Sequence, residues 1–161
     1  MLLRKRAWDI MREDFLVVEE ETSMAEVITK LRESISKHAD NDFAIVVKES
    51  GQLAGVITAR DMLRAIEDCV LRDDVVRNAE ETDWDRAFAK ACTLCCHRRV
   101  KDIMERKPPT VRPNDPVLLV LNSLVDSKVR WAVVEEGGKP IGVVVINDLF
   151  NEISREMVSS F

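Results

Sequence analysis

Thr58-Ala59-Arg60-Asp61 places a hydroxyl, a guanidinium and a carboxylate within about one turn of a helix. The run follows Gly55-Val56-Ile57, whose β-branched character marks a buried strand, so the chain passes here from strand to helix. The first amide N–H groups of a helix lack intrahelical partners and, with the positive helix end, suit a phosphate. Arg60 adds a planar fork for phosphate oxygens, and Asp61 can accept two hydrogen bonds from adjacent ribose hydroxyls. Thr58-x-x-Asp61 also has the spacing of a capping box, with Asp in place of Glu. The two roles are compatible: a ligand site whose resting state is the cap.

The same segment is written a second time as Gly142-Val143-Val144-Val145-Ile146-Asn147-Asp148, with Val145 in place of the threonine. The missing hydroxyl removes one hydrogen bond of about 0.5–1.5 kcal/mol, so this second site is expected to be weaker, differently selective or empty. Asn147 is the expected N-cap there. A third constellation is Cys92-Thr93-Leu94-Cys95-Cys96-His97, whose thiols and imidazole are good zinc or iron–sulfur ligands. The competing reading is core packing, because Trp84, Ala87, Phe88, Ala91, Cys92 and Cys95 mark one face of a helix begun by Thr82 or Asp83. No second ligand cluster accompanies the cysteines, so packing is the favoured reading. His38 in a polar insertion is expected to be solvated, and Trp8, Trp84 and Trp131 to anchor core or interface.

The elements that position these residues follow from the repeat. Asp9-Ile10-Met11 returns as Asp102-Ile103-Met104, at an offset of 93 that shortens to 87 by Gly55 and Gly142. The first copy therefore carries extra residues around Ser36–Asn41 and near Ser50-Gly51, where polar loops absorb length at little cost. Each copy predicts an extended start (Phe15–Val18; Thr110–Arg112) and a helix capped by Thr22 or Ser23, or by Asn114 or Asp115. A glycine-turned hairpin follows (Phe43–Val47 with Leu53–Thr58; Trp131–Glu135 with Pro140–Val145), then a closing helix (Arg60–Leu71; Asp148–Met157). The unit is β-α-β-β-α, and one copy alone would leave a sheet face of valines and isoleucines exposed. Packing two copies together, with pseudo-twofold symmetry and two equivalent clefts, is the expected solution.

The chain's 161 residues are 46% hydrophobic and 33% charged, with a net charge of −5. That balance suits one or two small packed domains and supplies no basic field for nucleic acid or an anionic membrane. The basic start Met1–Arg6 is followed by no apolar run, so neither a signal peptide nor a membrane span is expected. Four cysteines crowded into one third of the chain make a poor disulfide framework and point to a reducing cytoplasm. No catalytic triad, Walker loop or paired-carboxylate site stands out.

Asp-Ile-Met, an extended start, a helix, a hairpin and Gly-h-h-Thr-x-x-Asp, in that order and twice, resemble the CBS domain (named for cystathionine β-synthase). In tandem they resemble a CBS pair, or Bateman module, over roughly residues 7–70 and 100–158. The resemblance implies an α+β fold of two CBS repeats, residues 7–70 and 100–158, joined by a helical segment at 71–99. It implies a non-enzymatic regulatory module that binds AMP, ADP, ATP or a related adenosyl ligand between the copies and requires no cofactor. Ile57, Thr58, Arg60 and Asp61 would form one wall of that site. Thr110, Val111, Val129 and Arg130 would face the adenine from the other copy; Arg130, where the family has a small residue, would bind phosphate, obstruct the cleft, or simply lie solvated at the strand edge. The weaker site would combine Asn147 and Asp148 with Leu16, Asn41, Asp42 and Phe43, with Asp42 repelling phosphate. The family further implies a homodimer, with Val117–Val125 and Asn147–Val158 as interface material, and a regulated protein that reads the ligand. The alternatives are a ligand-free interaction scaffold, or a thiol or metal sensor using Cys92, Cys95, Cys96 and His97.

Overall fold

The computed structural model describes residues 4–71 and 83–161; Thr82, one of the two expected caps, lies outside them. Six α-helices and two three-stranded sheets occur among the described residues. In chain order these are α1 (Ala7–Ile10), β1 (Val17–Glu19), α2 (Met24–Lys37), β2 (Phe43–Val47), β3 (Leu53–Thr58), α3 (Ala59–Leu71) and α4 (Trp84–Cys96). A short 3-10 turn (Val100–Asp102) then leads into β4 (Thr110–Val111), α5 (Val117–Ser127), β5 (Trp131–Glu136), β6 (Lys139–Val145) and α6 (Ile146–Val158). Both copies are thus β-α-β-β-α, and the hairpin strands fall within a residue or two of their sequence expectation.

The sheets share one plan. β1 lies parallel to β2 with Val17 opposite Ile45, and β4 lies parallel to β5 with Thr110 opposite Val133. A parallel pair needs a crossover, and the amphipathic helices α2 and α5 supply it. The third strand is the returning arm of each hairpin, which gives the order β1-β2-β3 and β4-β5-β6. The β5–β6 hairpin turns through Gly137 and Gly138, both at positive φ (60° and 80°), as a two-residue turn that matches strand twist requires. Every residue of β2 is buried, which is why Phe43–Val47 reads as a continuous apolar run.

Packing divides the chain into two compact units, and the division does not follow the repeat boundaries. The first unit comprises Leu16–Glu49 and Ala54–Arg106; the second comprises Met1–Phe15, Ser50–Leu53 and Lys107–Phe161. Each Asp-Ile-Met segment therefore joins the sheet of the other copy. In the second unit Ala7 and Ile10 are buried with Val120, Leu124, Val144 and Leu149, and Arg12 exchanges two backbone hydrogen bonds with Val143 (2.8 and 2.9 Å). In the first unit Val100 and Met104 are buried with Met24, Val27, Leu31 and Ile57, and Glu105 exchanges the equivalent pair with Val56 (2.8 and 3.0 Å). The motif aspartates hold the turn that makes this approach: Asp9 Oδ2 accepts from the Arg6 amide at 2.8 Å, and Asp102 Oδ2 from the Arg99 amide at 3.4 Å.

Several local expectations are corrected. Ser23 does cap α2, accepting from the Glu26 amide at 3.4 Å, but α5 starts at Pro116 without a side-chain cap. Asp115 instead accepts the amide of Arg112 at 2.8 Å, closing the turn before the helix. The extra residues of the first copy do not all enter a loop: α2 has 14 residues where α5 has 11. The helix lengthens because Ile35 still packs against the core and Lys37 favours the negative C-terminal end. Trp131 is buried, whereas Trp8 and Trp84 are more than half exposed. On α4 the apolar face is fully buried at Ala91 and Cys95 and half-buried at Ala87 and Cys92, while Phe88 is exposed like Trp84. Asp83 caps this helix, accepting from the Arg86 amide at 3.1 Å. His38 is exposed, as expected, and its Nδ1 accepts the Asp40 amide at 3.3 Å.

Candidate functional site

In the first unit, β3 ends at Thr58 and α3 begins at once, closed by a complete capping box. The Thr58 amide donates to Asp61 Oδ2 (3.0 Å), and the Asp61 amide donates to Thr58 Oγ1 (3.1 Å). The Ala59 amide donates to the Asp42 carbonyl at 2.9 Å. The expectation of open amide donors at this helix start is corrected accordingly: the amides of Ala59 and Asp61 are already bonded within the chain. What the geometry offers a ligand is the Thr58 hydroxyl hydrogen and the second carboxylate oxygen of Asp61, both half-buried and held by the box. Replacing Thr58 by valine, the residue found at 145, should cost about 1 kcal/mol of stability through the lost cap, measured by urea denaturation.

A polar depression of about 170 Å³ within this unit runs beside Asp61, lined by Arg64, Asp68, Arg98 and Asp102 among others. The sequence reading missed Arg64 and Arg98. Arg64 carries a usable signal, since it follows Arg60 by four residues and so shares its side of the helix. Arg98 carries none, because only tertiary packing brings the end of α4 to α3. Ile57 is fully buried in the core, so only its backbone remains for a ligand, and Arg60 is exposed.

The second copy's helix start is built differently. Val145, buried, stands at the N-cap, and Asn147 is the second residue of α6, not its cap. The physical reason is that Ile146 begins the helix directly from the strand, its amide donating to the Arg130 carbonyl at 2.8 Å. Asp148 has no threonine to bond and is gripped by Arg12: Nε to Oδ2 is 2.6 Å and Nη2 to Oδ1 is 2.9 Å. This two-point fork engages both carboxylate oxygens. The equivalent of Arg12 in the repeat is Glu105, so the same backbone station carries opposite charge in the two units. Arg12→Met, which keeps the aliphatic stem, should lower stability by about 1–2 kcal/mol in urea denaturation.

The remaining candidates are placed as follows. In the second unit Thr110 is exposed on β4, Val111 is buried in the core, Val129 packs partly against that core, and Arg130 is exposed just before β5. In the first unit Phe43 is buried, so its side chain is closed to a ligand, while Leu16 is half-buried and its carbonyl accepts the Ile45 amide at 2.8 Å. Cys95 points into the first unit, with Cys92 and Cys96 half-buried and His97 exposed at the end of α4. Among the described residues no three His, Cys, Asp or Glu side chains converge as a metal site. No described helix is long and apolar enough to cross a membrane.

Two β-α-β-β-α copies in tandem, each with a threonine/aspartate or valine/aspartate helix start, define a duplicated α+β module. The chain belongs to the CBS domain family, which matches residues 7–68 and 100–155; it is a tandem CBS pair. No curated protein matches the sequence. Among solved structures it is similar to the cytosolic domain of the Mg2+ channel MgtE in complex with ATP, at 22% identity and TM-score 0.66. That match covers 91% of this chain but only 48% of the other, so the chain spans about half of it. CBSX2 in complex with AMP matches at 21% identity and TM-score 0.67, covering 94% of this chain and 98% of that one. A putative acetoin utilization protein (AcuB) from Vibrio cholerae matches at 14% identity and TM-score 0.68, covering 96% and 93%. At these identities the likeness establishes the fold.

Proposed function

We propose that this CBS pair is a non-catalytic, cytoplasmic sensor of an adenine nucleotide, with one principal site built on Thr58 and Asp61. The observation that carries the reading is the contrast between the two helix starts. Asp61 spends one oxygen on its own cap and keeps the other, whereas both oxygens of Asp148 are held by Arg12. A ribose diol bonded by Asp61, with phosphates drawn to Arg60, Arg64 or Arg98, uses the chemistry present on that side. The ATP and AMP complexes of the similar structures support the ligand class.

The sensor acts as a homodimer and is read by a regulated protein. Supporting the dimer are Leu63 and Phe150, at equivalent positions of α3 and α6 and 66% and 69% exposed. Beside Leu63 an apolar groove of about 240 Å³ runs between α2 and α3, lined by Ile28, Ile35 and Met62. Light scattering reads the oligomeric state directly.

The test of the sensing reading is a thermal-shift and calorimetry panel of AMP, ADP, ATP and S-adenosylmethionine. One of them is expected to bind with one principal equivalent per chain. Absence of any shift across the panel would leave the interaction scaffold as the better reading.

A further inference from the structure

We propose that Cys69 and Cys95 form a reversible dithiol–disulfide pair that staples α3 to α4. Cys69 lies near the end of α3 and Cys95 near the end of α4, with their sulfur atoms 2.6 Å apart. A disulfide bond needs about 2.05 Å, so bonding asks for a movement of about half an ångström. Cys92 and Cys96 flank Cys95 on the same helix, but the packing selects Cys69 as its partner, 26 residues away in sequence. The Cys95 thiol also points at the Ala65 carbonyl, 3.5 Å away, which fixes its direction into the α3–α4 seam.

The two sulfurs differ in access, and that sets the order of events. Cys95 is 1% exposed and Cys69 is half-buried. Burial, and then the neighbouring Cys69 thiol, push the Cys95 thiol up to about 12, so it stays protonated at neutral pH. Cys69 therefore meets the oxidant, a low-molecular-weight disulfide. Its thiolate attacks one sulfur of that molecule: the Cys69–S bond forms, the small disulfide's S–S bond breaks, and one thiolate leaves with the proton that Cys69 gave up. Cys95 then loses its proton and attacks the Cys69 sulfur, expelling the second small thiol, which takes that proton. Two protein thiols are oxidised by two electrons, and one small disulfide is reduced to two thiols. The inference is independent of the nucleotide reading, since none of its steps involves Thr58 or Asp61.

The experiment treats the full reduced chain with glutathione disulfide under argon, followed by thiol counting and peptide mapping. Free thiols should fall from the four of the reduced chain to about two, through a single Cys69–Cys95 crosslink that a reductant reverses. The crosslinked chain should melt higher, by on the order of 5 °C. The double variant Cys92→Ser/Cys96→Ser should crosslink as readily as the parent, and because it leaves the pair untouched it serves even if variants of Cys95 fold poorly. Cys95→Ser should instead retain one glutathione on Cys69. Persistence of all four thiols, a linkage through Cys92 or Cys96, or a crosslink between two chains would overturn the proposal.

Discussion

Gly55→Ala is expected to destabilise the protein by about 3 kcal/mol, a large loss for the addition of one methyl group. A Cβ at this position would run into the backbone carbonyl of Glu105, with the Met104 sulfur 3.0 Å away. The carbonyl cannot step aside cheaply, because Glu105 and Val56 hold each other through two backbone hydrogen bonds. The matched site gives an internal comparison. A Cβ at Gly142 meets first the Met11 side chain, at 2.5 Å to sulfur and 2.9 Å to Cγ, and only then the Arg12 carbonyl at 3.1 Å. A flexible thioether can move, so Gly142→Ala should cost about 1–2 kcal/mol, less than its counterpart. Gly137→Ala meets nothing within 4 Å and carries only the penalty of its positive φ, roughly 1 kcal/mol. Urea denaturation of the three variants should rank them in that order. A Gly55→Ala protein as stable as its parent would contradict the close passage of the Met104-Glu105 segment.

Asp61→Asn is expected to remove the ligand-induced stabilisation while leaving most of the fold's own stability intact. Asparagine keeps an oxygen to accept the Thr58 amide but loses the charge and the second acceptor that a ribose diol requires. For the parent protein, a ligand at about 100 times its dissociation constant adds about 2.7 kcal/mol. The variant should show little of that shift in the same panel. Asp148→Asn should preserve it, because the carboxylate at 148 is already engaged by Arg12. Equal loss in both variants would mean that the two helix starts are used alike, and the one-sided site would be wrong.

Much of this fold is legible from local pattern. Continuous β-branched apolar runs and a glycine turn mark the hairpin Trp131–Val145, and helical spacing of Met24, Val27 and Leu31 marks α2. The Thr58/Asp61 box is readable because both partners lie within one turn of chain. Less legible are the caps: Asn114, Asp115 and Asn147 all have capping chemistry, but the turn that Asp115 closes leaves the position to Pro116, and the direct passage from strand to helix leaves the other to Val145. Trp84 and Phe88 share a helical stripe with Ala91 and Cys95, yet stripe membership does not say how far along its length a neighbour reaches.

The repeated glycine shows where the boundary falls. Duplication alone determined that a glycine is needed at 55 and 142, that two β-α-β-β-α copies exist, and that Val145 lacks the hydroxyl of Thr58. Only the tertiary structure decided why the glycine is needed: each Asp-Ile-Met segment crosses to the other copy's sheet and passes over it at backbone distance. It also decided that Arg12 takes Asp148 across 136 residues and that Cys69, not a nearer cysteine, meets Cys95. Local periodicity reports which face of an element is apolar, whereas these pairings depend on which distant segment packing brings to it.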